Sequence, residues 1–112
     1  MTASITHKTA LSLVTEAMRL TAEMEPAQLH VLLLVAAAPT PMMMTDLARA
    51  RGKTTASMTA TVDQLVKRGL VTRQSDGDRR VIRVVITAAG IERVSAIANG
   101  VAEILNAGGC HD

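Results

Sequence analysis

The chain has 112 residues, 48% of them hydrophobic and 20% charged, which fits one globular domain and excludes a disordered tail or two independent cores. It contains no Phe, Tyr or Trp, which argues against a base-stacking single-strand binder, an aromatic cage for a cationic ligand and most sugar sites. The formal net charge is only +2, but residues 46–86 carry nine basic against four acidic side chains, a net +5, between ends of −1 and −2, so a polyanion is the natural partner for the central block.

Residues 4–24 place Leu11, Val14, Ala17, Met18, Thr21 and Met24 at helical spacing, with Ser4 as the expected N-cap. Pro26 suits the first turn of a second helix, which runs apolar to Ala38 and is stopped by Pro39 and Pro41. Met42, Met43 and Met44 form either a short strand or an extended lead-in. Thr45 is expected to cap a short helix that ends at Arg51 before Gly52, and Thr54 or Thr55 to cap the next, which closes at Gly69. In that helix Met58, Val62, Leu65 and Val66 share the core-facing side, while Ala56, Ser57, Ala60, Gln64 and Lys67 face away.

Residues 70–74 and 81–86 are β-branched and strand-like, and Asp76-Gly77 between them is a hairpin signal. A helix-turn-helix followed by a hairpin with a basic tip is a winged helix. The expected class is therefore mostly α with a small β-hairpin wing, in one domain over residues 1–112. Residues 87–105 form a last helix with Ile91, Val94, Ile97, Ala98, Val101, Ile104 and Leu105 on one stripe.

In order, the chain carries Gln28-Leu29-His30-Val31-Leu32, Asp46-Leu47-Ala48, Thr59 with Leu65-Val66-Lys67-Arg68-Gly69-Leu70-Val71-Thr72-Arg73, Asp78-Arg79-Arg80, and Ile86-Thr87-Ala88-Ala89-Gly90. Through this series residues 26–94 resemble the MarR family of bacterial transcription regulators. The resemblance implies a homodimer that places a recognition helix in the major groove of double-stranded DNA and a wing in the minor groove. By position it implies that Ser57, Thr59, Ala60 and Thr61 lie on the DNA-contacting segment, that Arg80 is the wing-tip arginine, and that Asp78 orients the wing. It also implies that the first and last helices, 4–24 and 87–105, build the dimer interface, with residues 45–86 as the DNA-binding part. The chain departs from the family in having Ala60 where many members carry arginine, in a C-terminal region with room for one long helix, and in lacking aromatic residues for a phenolic effector.

The residues themselves support this reading. Small and hydroxylated side chains at 56, 57, 60 and 61 let a helix approach the groove floor, where Ala and Thr methyls can meet a thymine methyl, and Gln64 has the bidentate geometry for adenine. Thr54 or Thr55 caps the helix, and its freed amides suit a phosphate. Lys53, Arg49 and Arg51 flank the turn for phosphate contacts, and Arg73 and Arg83, at matching distances along the two strands, flank the phosphates as well. Arg79 and Arg80 suit a narrow minor groove, with Asp78 holding one of them in place. Leu11, Val14, Met18, Ile97, Val101, Ile104 and Leu105 exceed what so small a core hides, an independent argument for a symmetric partner.

His7, His30, Cys110 and His111 lack metal-ligand spacing, and no nucleophile–base constellation or glycine-rich phosphate loop stands out. No metal, cofactor or catalysis is expected, and a small-molecule effector stays open. One cysteine forms no intramolecular disulfide, no apolar run reaches a membrane span and the first residues lack a signal peptide's pattern, so a cytoplasmic setting is expected. The expected function is a sequence-specific transcriptional regulator, a repressor on a pseudo-palindromic operator. Two other classes compete with it: a winged-helix protein-interaction module, and an architectural or partition protein with little sequence discrimination.

Overall fold

The computed structural model describes residues 6–75, 77 and 81–109. Their local chemistry sets out five helices and three short strands in the order α1 (His7–Leu20), α2 (Pro26–Ala37), β1 (Met42–Met43), α3 (Met44–Arg51), α4 (Thr55–Lys67), β2 (Val71–Ser75), β3 (Ile82–Ile86) and α5 (Ala88–Gly109). This is the winged-helix arrangement expected from the sequence. None of the described helices is long and apolar enough to cross a membrane. The chain divides into two compact units, one made of residues up to 23 with those from 95 onward, the other of residues 24–94.

In the larger unit, Pro26 occupies the first turn of α2, where its missing N–H costs nothing, and Gln28, Val31, Leu32 and Val35 form the buried stripe of that helix. The helix stops at Ala37 because Ala38 precedes Pro39 and takes an extended backbone (φ −68°, ψ 136°). The core joins α2 to Leu47 and Ala48 of α3, to Met58, Val62 and Leu65 of α4, and to Leu70, Val71 and Val84 at the sheet. Met24, Met42, Met44 and Met58 fill places that aromatic side chains occupy in many cores.

The three strands form an antiparallel sheet in the order β1–β3–β2, with Val84 opposite both Met42 and Arg73. Val84 is fully buried, so this face of the hairpin packs inward. The methionine segment is thus a strand for two residues, and its third residue begins α3.

The base of the hairpin is tied to both neighbouring helices. Gly69, in the left-handed region at φ 75°, turns the chain out of α4. The Thr87 hydroxyl donates to the Gly69 carbonyl at 2.6 Å, the Thr87 N–H donates to the Leu70 carbonyl at 3.0 Å, and the same hydroxyl accepts the Gly90 N–H at 3.0 Å. Gly90 is where this junction is tightest. A Cβ added there would stand 2.2 Å from the Leu70 carbonyl oxygen and 2.6 Å from Ile86.

In the smaller unit, Thr6 rather than Ser4 caps α1, its hydroxyl accepting the Thr9 N–H at 3.1 Å; Ser4 lies outside the described residues. The helix ends at Leu20, short of the expected residue 24. Glu16 and Arg19 pair on its surface, and that hydrogen bond holds the Glu16 carboxyl below its ordinary value. Gly100 of α5 lies against the Leu20 side chain, and Ile97 is buried. The last helix continues four residues beyond the expected Leu105.

Gly90→Ala is expected to destabilise the fold by about 3 kcal/mol, because backbone cannot yield as a side chain does. Gly52→Ala, where a Cβ meets nothing within 4 Å, is expected to cost only about 1 kcal/mol from its left-handed backbone. Urea denaturation of the two variants checks the contrast.

Candidate nucleic-acid interface

The turn between α3 and α4 is built from backbone chemistry at both of its ends. Asp46 accepts the Met43 N–H at 3.1 Å, so the N-cap of α3 is Met43 and not Thr45, and the helix starts two residues earlier than expected. Gly52 closes α3 in the left-handed region at φ 63°, and the Lys53 N–H returns to the Ala48 carbonyl at 2.9 Å. Thr54 then caps α4, accepting the Ser57 N–H at 3.1 Å, which decides between the two threonines; Thr55 is the first helical residue.

The outer side of α4 is exposed where the sequence predicts. Lys53, Thr54, Thr55, Ala56, Ser57, Thr59, Ala60 and Gln64 are all exposed, and Thr61 is half-buried. The Thr59 and Thr61 hydroxyls donate to the Thr55 and Ser57 carbonyls at 2.9 and 3.2 Å, which leaves their oxygens as acceptors. Met58, Val62 and Leu65 are buried behind them, whereas Val66 falls at the edge of the core and is 37% exposed.

The basic block is less uniform than its charge count suggests. Arg51 is turned inward, with its Nη1 at 2.5 Å from His30 Nδ1 and its Nε buried, so it is a link between α3 and α2 rather than an outstretched phosphate arm. Arg68 donates from Nε to Gln28 Oε1 at 3.0 Å and ties the end of α4 to α2. Arg49 is widely exposed, with Asp46 3.9 Å away. Lys53 and Lys67 stand exposed at the two ends of α4.

Arg73 and Arg83 do not form the matched pair expected of them. Arg73 lies opposite Val84, and Arg83 opposite Gln74, so the pleat sends the two arginines to opposite faces of the hairpin. Arg73 reaches back to α4, donating from Nη2 to Asp63 at 2.5 Å and to the Thr59 carbonyl at 3.3 Å. Arg83 donates to the Pro41 carbonyl at 3.2 Å on the other side. A groove of about 450 Å³ opens beside the Arg73–Asp63 pair, floored by Met43, Met44 and Ile82. Asp63 escaped notice in the sequence because its partner is ten residues away, in another element. At the wing tip Gly77 has φ 86°, as an Asp-Gly turn requires, while Asp78, Arg79 and Arg80 lie outside the described residues.

Of the residues expected to meet a partner chain, Leu11, Val14 and Met18 on α1 are 67%, 58% and 60% exposed, Leu105 is exposed, and Val101 and Ile104 are half-buried. Ile97 is only 5% exposed and has almost no surface left to lose, which removes it from the partner-facing set. Among the described residues no cluster of His, Cys, Asp or Glu has the arrangement of a metal site.

Thr54→Ala is expected to cost about 1 kcal/mol of stability through loss of the cap, and Thr55→Ala much less, measured by urea denaturation.

Comparison with known proteins agrees with this architecture. The model of the MarR family matches residues 22–81. No curated protein sequence matches the chain. Among solved structures, a MarR-like transcriptional regulator from Thermotoga maritima is 31% identical, with 94% of this chain and 79% of that one aligned at a TM-score of 0.76. The transcriptional repressor CouR, solved on a 23-mer DNA duplex, is 30% identical over 85% of this chain and 68% of its own, with a TM-score of 0.67. A MepR variant from S. aureus, bound to an oligodeoxyribonucleotide, shares the fold at 19% identity, with a TM-score of 0.78 over 95% and 77% of the two chains. By sequence and by its winged-helix fold, the chain belongs to the MarR family.

Proposed function

We propose that the protein is a DNA-binding transcriptional repressor that acts as a symmetric homodimer. The observation that carries this reading is the exposed outer side of α4, capped by Thr54, flanked by Lys53 and Lys67, and tied by Arg73 to the hairpin beside it. A helix with small side chains outward fits the major groove, and the CouR repressor at 30% identity is bound to a DNA duplex. In this reading Ser57, Thr59, Ala60, Thr61 and Gln64 face bases, and Lys53, Thr54 and Thr55 face phosphates. Arg79 and Arg80, oriented by Asp78, enter the minor groove, and Arg83 borders the backbone.

The dimer follows from α1. Three large apolar side chains, each more than half exposed on one helix, form a stripe that a second copy would cover, with Leu105, Val101 and Ile104 of α5 alongside. Two copies then present their recognition helices about one DNA turn apart and read a pseudo-palindrome. Occupation of such a site within a promoter blocks transcription.

Binding to the DNA upstream of the protein's own gene, compared with a scrambled duplex, is expected to be preferential and to weaken steeply with salt. Equal affinity for both, with a footprint that spreads along the DNA, would favour an architectural role. Loss of all binding at low salt would favour a protein-interaction module. Arg80→Ala is expected to weaken binding at least tenfold, about 1.4 kcal/mol, with the dimer intact by sedimentation. Met18→Asp is expected to split the dimer in the same measurement.

A further inference from the structure

The surroundings of Arg73 differ from what a phosphate contact needs. It lies on the inward face of the hairpin, opposite the fully buried Val84, and its side chain is 29% exposed. One nitrogen, Nη2, serves both the Asp63 carboxylate at 2.5 Å and the Thr59 carbonyl at 3.3 Å. Both acceptors belong to α4, where the Thr59 carbonyl lies against residue 63, so one guanidinium nitrogen of the neighbouring strand holds both a side chain and the backbone of that helix. Asp63 is the only charged residue between Thr54 and Val66. An acid on a helix that faces a polyanion is unfavourable for binding unless it does something else there.

We infer that Arg73 and Asp63 are positioning residues for DNA recognition: their ion pair holds the wing in register with the outer side of α4, and Arg73 is not itself a phosphate ligand. This deepens the DNA-binding reading and rests on it. The hairpin is joined to α4 in sequence only at its base, through Gly69 and Leu70, so the outer part of β2 needs a lateral tie if the wing and the helix are to engage neighbouring grooves together. Arg73 supplies that tie two residues beyond the first residue of the strand. A preset angle between the two elements spares the ordering cost of aligning them on the duplex.

The sign of one substitution separates positioning from contact. Asp63→Asn removes a negative charge from a DNA-facing helix, so electrostatics alone makes it bind DNA more tightly. The inference requires the opposite, a loss of about threefold to fivefold, with Asp63→Glu restoring part of it. Arg73→Gln should weaken binding by a similar factor, and the double variant by no more than either single one. The slope of log affinity against log salt should stay unchanged in Arg73→Gln, because no phosphate contact is lost, whereas a lost contact would lower it by about one.

Each titration uses the full chain and a duplex that the unaltered protein binds, with circular dichroism confirming that each variant is folded. The charge-reversed pair, Asp63→Arg with Arg73→Asp, provides a second arm, since it preserves the net charge and rebuilds the tie in reverse. Recovery of affinity in that variant above Arg73→Asp alone supports positioning. Tighter binding by Asp63→Asn, additive losses, or a salt slope lowered by one in Arg73→Gln would overturn the inference and return Arg73 to the phosphates. Failure of the unaltered protein to bind any duplex would instead overturn the DNA-binding reading beneath it.

Discussion

The junction of Gly69, Leu70, Thr87 and Gly90 is the constraint on which the larger unit depends. Here the chain leaves α4, enters the sheet, returns from it and starts α5 within one small volume. Two backbone carbonyls, those of Gly69 and Leu70, would be left without partners at the end of α4; the Thr87 hydroxyl and N–H satisfy them. The same hydroxyl caps α5 through Gly90. The absence of a side chain at Gly90 lets the backbone of α5 come against the Leu70 carbonyl, and the hairpin base cannot swing away from Thr87 without breaking two hydrogen bonds.

From this base the rest of the interface follows by packing and by lateral ties. Leu65, Leu70, Val71 and Val84 bury the inner side of the junction, and Met58 and Val62 continue the core along α4. Arg73, Arg68 and Arg51 then connect α4 and α3 to their neighbours through Asp63, Gln28 and His30. Several cations of the basic block therefore work inside the fold. A guanidinium that lies within reach of a carboxamide, an imidazole or a carbonyl is held there by directional hydrogen bonds, and its charge becomes part of the scaffold. Lys53 and Lys67 differ: both are exposed, and among the described residues no carboxylate forms an ion pair with either.

The smaller unit has a different logic. Its first helix buries none of its residues, yet carries Leu11, Val14 and Met18 at one helical spacing. Leaving those side chains in water forgoes about 1.5 to 3 kcal/mol of burial for each, a driving force that a second copy would satisfy. Ile97 and Gly100 of α5 serve the interior of the chain instead, the glycine giving room to Leu20.

The order of elements, the two turn glycines at 52 and 69, the hairpin turn at Gly77 and the buried side of α4 were legible along the chain, because each depends on local backbone preference or on periodicity within one helix. The sequence also sufficed, through motif order, to place the chain in its family. Tertiary structure alone decided which acid holds Arg73, that His30 and Arg51 meet, that Arg73 and Arg83 point to opposite faces, and that Ile97 turns inward. Cap identities fell between the two: Thr54 was one of two candidates, while Met43 displaced Thr45 because Asp46 reaches back to its N–H. The division has one physical reason. Local preferences act over a few residues along the chain, whereas the partner of a charged side chain and the register of a strand are set by groups that folding brings together from ten to forty residues away.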